Sequence, residues 1–125
     1  MGFDYGMTKI GVAIGQFVTE TATPIAIVAA KDGVPDWPAI EALMTEWRPA
    51  VLIVGLPLNM DGSESEMSQR ARKFARQLTG RFGIRHETMD ERLTSREAAE
   101  YAGRDQPVDA VAAQLIVESW FRNRS

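Results

Sequence analysis

Val51-Leu52-Ile53-Val54-Gly55 (VLIVG) is the stretch whose reading decides the fold. A continuous apolar run of this kind is the habit of a strand covered on both faces, as in parallel sheets. Its surroundings support that. Upstream, Asp36 can cap a helix whose apolar positions Trp37, Ile40, Leu43, Met44 and Trp47 recur at three- and four-residue spacing, and Pro49 stops it. Downstream, the loop LPLNMDGS leads into a helix predicted over Glu64–Thr79, and Ile84–Met89 reads as another strand. Towards the N-terminus, Met1–Tyr5 and Lys9–Ile14 read as a hairpin around Gly6-Met7-Thr8. Glu20–Ala30 is a third strand, with Pro24 marking an edge or a bulge. Thr94 or Ser95 can cap a helix through Tyr101, and Pro107 fits the first turn of a last helix through Phe121. A strand meander followed by two strand–helix units predicts an α/β fold with a mixed five-stranded sheet flanked by helices. One domain over residues 1–125 is expected, with its site beyond the carboxyl ends of the parallel strands.

Composition narrows the chemistry. The chain has no cysteine, which excludes disulfides, thiolate zinc sites and a cysteine nucleophile, and fits a reducing cytoplasm. No apolar run approaches the ~20 residues of a membrane span, and the first residues do not read as an export leader, so no export signal is expected. Net charge is −3, which argues mildly against a surface coated for nucleic acid, but the distribution is uneven. Arg70, Arg72, Lys73, Arg76, Arg81 and Arg85 fall between Met67 and His86 with no acid among them. On a helical projection Met67, Ala71, Phe74, Ala75 and Leu78 share one arc of about 100°, which leaves Arg70, Arg72, Lys73 and Arg76 on the solvent side. The bland alternative is a solvated helix face.

Three acidic positions stand out. Asp4 ends the first strand, and Gly2 and Gly6 on its face leave open space around it; the alternative is a turn aspartate. Asp90 and Glu91 follow the fifth strand, where at least one should reach the same rim; the alternative is a hydrophilic loop. Asp109 shares the inward stripe of the last helix with Ala113, Ile116 and Trp120; the alternative is an acid favoured by the helix dipole. Carboxylates from separate elements, without Cys or clustered His, suit a hard cation such as Mg²⁺ or Mn²⁺. Two such ions ~4 Å apart can stabilise the attacking and leaving oxygens of a phosphodiester, and a basic helix beside them would hold the backbone. His86 lies mid-strand and reads as structural. Asn59 and Asp61 can form a turn or contact substrate. Ser63 and Ser65 lack a partnered base.

The segments FDYGMTKIGVAIG, IVGLPLNMDGSESEMSQRARKFA, DERLTSREA and VDAVAAQLIVESWF resemble, in order and spacing, the YqgF/RuvX family of Holliday-junction-resolvase-like nucleases, over nearly the whole chain. The resemblance implies an RNase H-like fold and a bacterial cytoplasmic nuclease that matures the 5′ end of small-subunit ribosomal RNA precursor. It implies Asp4, Glu91 and Asp109 as metal ligands, with Asp90 orienting Glu91. It implies that Arg92 holds phosphate or pairs with an acid. Before Asp109 the family usually carries a longer, lysine-bearing loop; here YAGRDQPVDA is short, with Arg104 its single base.

The leading expectation is a metal-dependent endonuclease on structured RNA, acting as monomer or homodimer at or near a pre-ribosomal particle. Arg70, Arg72, Lys73, Arg76, Arg92 and Asn59 would contact substrate. The alternatives are a resolvase of branched DNA and a non-catalytic RNA-binding factor of ribosome assembly or transcription. A nucleotide-phosphate enzyme of the actin and sugar-kinase type would need a second domain that 125 residues do not supply.

Overall fold

A computed structural model describes residues 1–93 and 108–124, with side chains for 1–92 and 110–124. The helix expected from Thr94 or Ser95 to Tyr101, and Pro107 before the last one, lie outside the described residues. The chain runs β1 (Gly2–Asp4), β2 (Lys9–Gln16), β3 (Thr21–Lys31), β4 (Val34–Pro35), α1 (Trp37–Trp47), β5 (Leu52–Leu56), α2 (Glu66–Phe82), β6 (His86–Asp90), a short 3-10 turn (Glu91–Leu93) and α3 (Val108–Arg122). The strands form one sheet in the order β4-β3-β2-β1-β5-β6. Its first pairings, β1 with β2, β2 with β3 and β3 with β4, are antiparallel. The pairings of β5 with β1 and with β6 are parallel.

The mixed α/β sheet is as expected, with six strands in place of five. The extra strand, β4, lies between the expected third strand and the first helix and pairs only Val34 and Pro35 with Lys31 and Ala30. Two residues carry no periodicity for a sequence to show. Pro24 does both things expected of it. The β2–β3 register shifts beside it, where Ala13 faces Pro24 and Val12 faces Ala26, and β3 is an edge strand over most of its length.

Burial on both sides of β5 sets the layers. Leu52, Val54 and Leu56 pack with Phe3, Ile40, Met44, Phe74 and Leu78 under α1 and α2. Val51 and Ile53 pack with Ala113, Ile116, Val117 and Trp120 under α3. Phe74 is the hub of the first layer, edge-on to Phe3 at 5.5 Å and stacked against Trp37 at 5.9 Å. β1 alternates in step, since Phe3 and Tyr5 contact Phe74 while a Cβ on Gly2 would fall 2.2 Å from Val117 of α3. That glycine lets α3 lie against the sheet, so Asp4, two residues on, stands on the α3 side at the strand's carboxyl end.

The helix ends follow local chemistry. Asp36 accepts from the Ala39 amide at 3.3 Å to start α1, and Arg48 in the left-handed region (φ 44°) ends it just before Pro49. α2 starts later and ends later than expected. Ser65 and Ser68 form a reciprocal capping box, and Gly83 (φ 70°) closes the far end.

Candidate active site

The site gathers at the carboxyl ends of β1, β5 and β6. Asp4 closes β1 opposite Gly11 of β2, and the parallel register Phe3 with Val54 puts it level with Gly55 of β5. Glu91 opens the 3-10 turn after β6, and its carboxyl is hydrogen-bonded to that of Asp4. Two carboxyls in contact cannot both ionise cheaply. Burial first, then the hydrogen bond to Asp4 and the charges of Asp4 and Asp90, push the Glu91 carboxyl up to about 9. Protonated, Glu91 donates to the Asp4 carboxylate.

Gly55 makes this contact possible. A Cβ there would lie 2.6 and 2.8 Å from Cγ and Cδ of Glu91 and 2.5 Å from Ile116 Cδ1. Glu91 therefore occupies the volume a side chain at 55 would need. The room around Asp4 was expected from Gly2 and Gly6, and that expectation is corrected. Gly2 seats α3, and a Cβ on Gly6 would strike the Lys9 carbonyl at 2.5 Å, so Gly6 serves the tight turn. The signal for Gly55 was a glycine inside an otherwise aliphatic strand, one residue short of its carboxyl end.

Asp90 and Glu91 separate because alternation continues to the end of β6. Asp90 is level with Leu56, on the α1/α2 side of the sheet. Its carboxylate is engaged by Arg92, which donates from its backbone amide at 2.9 Å, from Nε at 2.9 and 3.1 Å, and from Nη2 at 2.6 Å. That guanidinium holds the Asp90 carboxyl below the usual carboxylate range. Arg92 thus pairs with an acid, and its Nη1 donates to the Met60 carbonyl at 3.0 Å. The turn that carries Glu91 is in this way tied to the loop after β5.

Asp109 lies in the first turn of α3, and its side chain is outside the described residues. Among the described residues no group of three His, Cys, Asp or Glu side chains is assembled to hold an ion. Asp4 and Glu91 are the pair that is brought together.

The other expected contacts divide. Arg70 pairs with Glu66 at 3.2 Å and Arg72 with Glu64 at 2.6 Å, so acids just upstream of the acid-free stretch neutralise two of its cations. Lys73 and Arg76 are exposed and carry no ion pair among the described residues. The Asn59 amide is turned inward, donating to Ser63 Oγ at 3.0 Å and the Glu64 carbonyl at 3.3 Å. His86 is structural: Thr79 Oγ1 donates to the Ile84 carbonyl at 2.8 Å, so His86 Nδ1, 2.7 Å from that oxygen, is the donor.

A family model described as "RuvX: Holliday junction resolvase" matches residues 1–123. A protein of Azotobacter vinelandii named "Putative pre-16S rRNA nuclease" is 52% identical over 132 residues, covering 99% of this chain and 93% of that protein. A protein of the same name from Hahella chejuensis is 56% identical over 128 residues, covering 96% of this chain and 81% of that protein. Among solved structures, T. thermophilus RuvC in complex with a Holliday junction substrate aligns with a TM-score of 0.64 at 13% identity, over 98% of this chain and 93% of that one. That likeness is one of fold, and it bears out the RNase H-like arrangement.

Proposed function

The chain belongs to the RuvX family, and on that footing we propose that it is a cytoplasmic endonuclease, dependent on Mg²⁺ or Mn²⁺, that matures small-subunit ribosomal RNA precursor. The observation that carries the reading is the contact between Asp4 and Glu91 at the mouth of three parallel strands. Two carboxyls brought into contact make a place that favours positive charge between hard oxygen donors, which fits the donor set of Mg²⁺ or Mn²⁺. Asp4, Glu91 and Asp109 are the residues that would hold the ion. A divalent ion there supplies Lewis-acid activation of water and of the scissile phosphate.

The chain's own residues do the rest. Gly55 keeps the space in which Glu91 lies beside Asp4. Asp90 orients Glu91 indirectly, by anchoring Arg92 and so the turn that carries both. Lys73 and Arg76 neutralise backbone phosphates along the exposed face of α2. Arg70 and Arg72 join them only where substrate phosphate displaces Glu66 and Glu64.

The test is cleavage of a precursor fragment spanning the 5′ end of the small-subunit RNA. Cutting is expected with Mg²⁺ or Mn²⁺, and is expected to be lost with a chelator and in Asp4→Asn. Undiminished cutting by Asp4→Asn would remove Asp4 from the site. Tight RNA binding with no cutting under any metal would favour the RNA-binding factor.

A further inference from the structure

The loop between β5 and α2 carries one side chain that the fold does not use. Met60 is 91% exposed. A lone exposed apolar residue needs no explanation by itself. This loop, however, is braced at nearly every residue. Gly62 N–H donates to the Asn59 carbonyl at 2.8 Å, which makes Met60 and Asp61 the corners of a tight turn, and Gly62 takes φ 88° to close it. Asn59 N–H donates to the Ser63 carbonyl at 2.9 Å, and Asp61 accepts from the amide and hydroxyl of Ser63 at 2.9 and 2.6 Å. Ser65 Oγ donates to the Pro57 carbonyl at 2.6 Å, tying the loop's ends together.

The last brace gives the direction. Arg92 holds the Met60 carbonyl at 3.0 Å while Asp90 holds Arg92. Arg92 is the neighbour of Glu91. The backbone of Met60 is therefore fixed relative to the candidate catalytic carboxylates through one residue step and one hydrogen bond. Its thioether side chain stands in solvent on that fixed backbone.

We propose that Met60 is a wedge that inserts between stacked bases of the nucleic acid strand beside the bond to be cut. The proposal rests on the nuclease reading for its substrate, and it names what that substrate must offer: a base step that can open, as at a junction of duplex and single strand. A flexible, polarisable apolar side chain suits the task, since it fills the gap left by unstacking without demanding a particular base. A rigid carrier suits it too, because the loop loses little further freedom on binding. The same bracing explains why the Asn59 amide and the Asp61 carboxylate are turned into the loop rather than outward.

The experiment uses an RNA hairpin with a single-stranded 5′ extension and 2-aminopurine at the junction, a base whose fluorescence rises when it is unstacked. It is bound to the full chain carrying Asp4→Asn, so that the RNA stays intact. Binding is expected to raise the fluorescence several-fold. Adding Met60→Ala should abolish the rise and weaken binding of the hairpin roughly tenfold, with no change for an unstructured single strand of the same length. Met60→Leu should restore both. Melting temperatures of the variants should match, since the side chain touches little of the fold. No fluorescence rise, a rise that survives Met60→Ala, or no binding of the hairpin would overturn the wedge. Cleavage by the unsubstituted chain is read separately. A chain that cuts RNA without unstacking it refutes the wedge alone, and one that unstacks RNA without cutting it refutes the nuclease reading alone.

Discussion

Glu91→Gln should stabilise the metal-free protein and abolish its activity, with the stability gain growing as pH rises. The folded chain keeps the Glu91 proton up to about pH 9, whereas an unfolded carboxyl releases it near 4.5. Between those values the folded state binds more protons than the unfolded state, so stability falls as pH rises through the window. At about 1.4 kcal/mol per pH unit, the cost at pH 7.5 is on the order of 2–4 kcal/mol. Glutamine keeps a donor towards Asp4 at every pH and has no proton to lose. For a chain of 125 residues the gain corresponds to roughly 8–15 °C in melting temperature. The assay is thermal unfolding in chelator from pH 5 to 9, comparing the two chains. The curves should converge near pH 5 and separate steadily above it. A Glu91→Gln chain that melts below the parent at pH 7.5, or a gap that does not change with pH, would refute the shared proton.

Gly55→Ala places a methyl where Glu91 Cγ and Cδ already lie, so it should cost about 1–3 kcal/mol in unfolding and, by displacing the carboxyl, roughly 10²-fold in cleavage; unchanged cleavage would contradict the placement of Glu91. Arg92→Ala removes the link between the Glu91 turn and the β5–α2 loop, and hydrogen exchange at the Gly62 and Ser63 amides should speed up roughly tenfold; equal exchange would show that the loop holds itself. Lys73→Ala and Arg76→Ala should each lower the slope of log affinity against log salt by about 0.7–0.9, while Arg72→Ala, whose guanidinium is held by Glu64, should lower it less. Equal slopes for all three would mean that the Glu64 pair opens freely.

Much of this molecule can be read from patterns that reach only a few residues. The run at Val51–Gly55 is buried on both faces, and the stripe of Ala113, Ile116 and Trp120 is the inner face of the last helix. Asp36 and Pro49 bracket α1 because caps and breakers act locally. What escaped depends on partners distant in sequence. Gly55 is one more residue of an ordinary strand until the turn at Glu91 folds over it. The cations of α2 stand in an acid-free stretch, yet Glu64, eight residues upstream, neutralises Arg72, while Glu66 one turn before Arg70 is a local pair that the stretch's boundary hid. The choice between Asp90 and Glu91 turned on one residue of strand length. With β6 running to Asp90 instead of ending at Met89, alternation sends Asp90 to Arg92 and leaves Glu91 to Asp4.

The most direct test of the central claim is a crystal soaked with Mn²⁺ and measured for anomalous scattering. Anomalous density between the Asp4 and Glu91 carboxyls, with Asp109 completing the coordination, is the predicted result. A Mn²⁺-saturated crystal with Asp4 and Glu91 still hydrogen-bonded to each other and no density between them would contradict it.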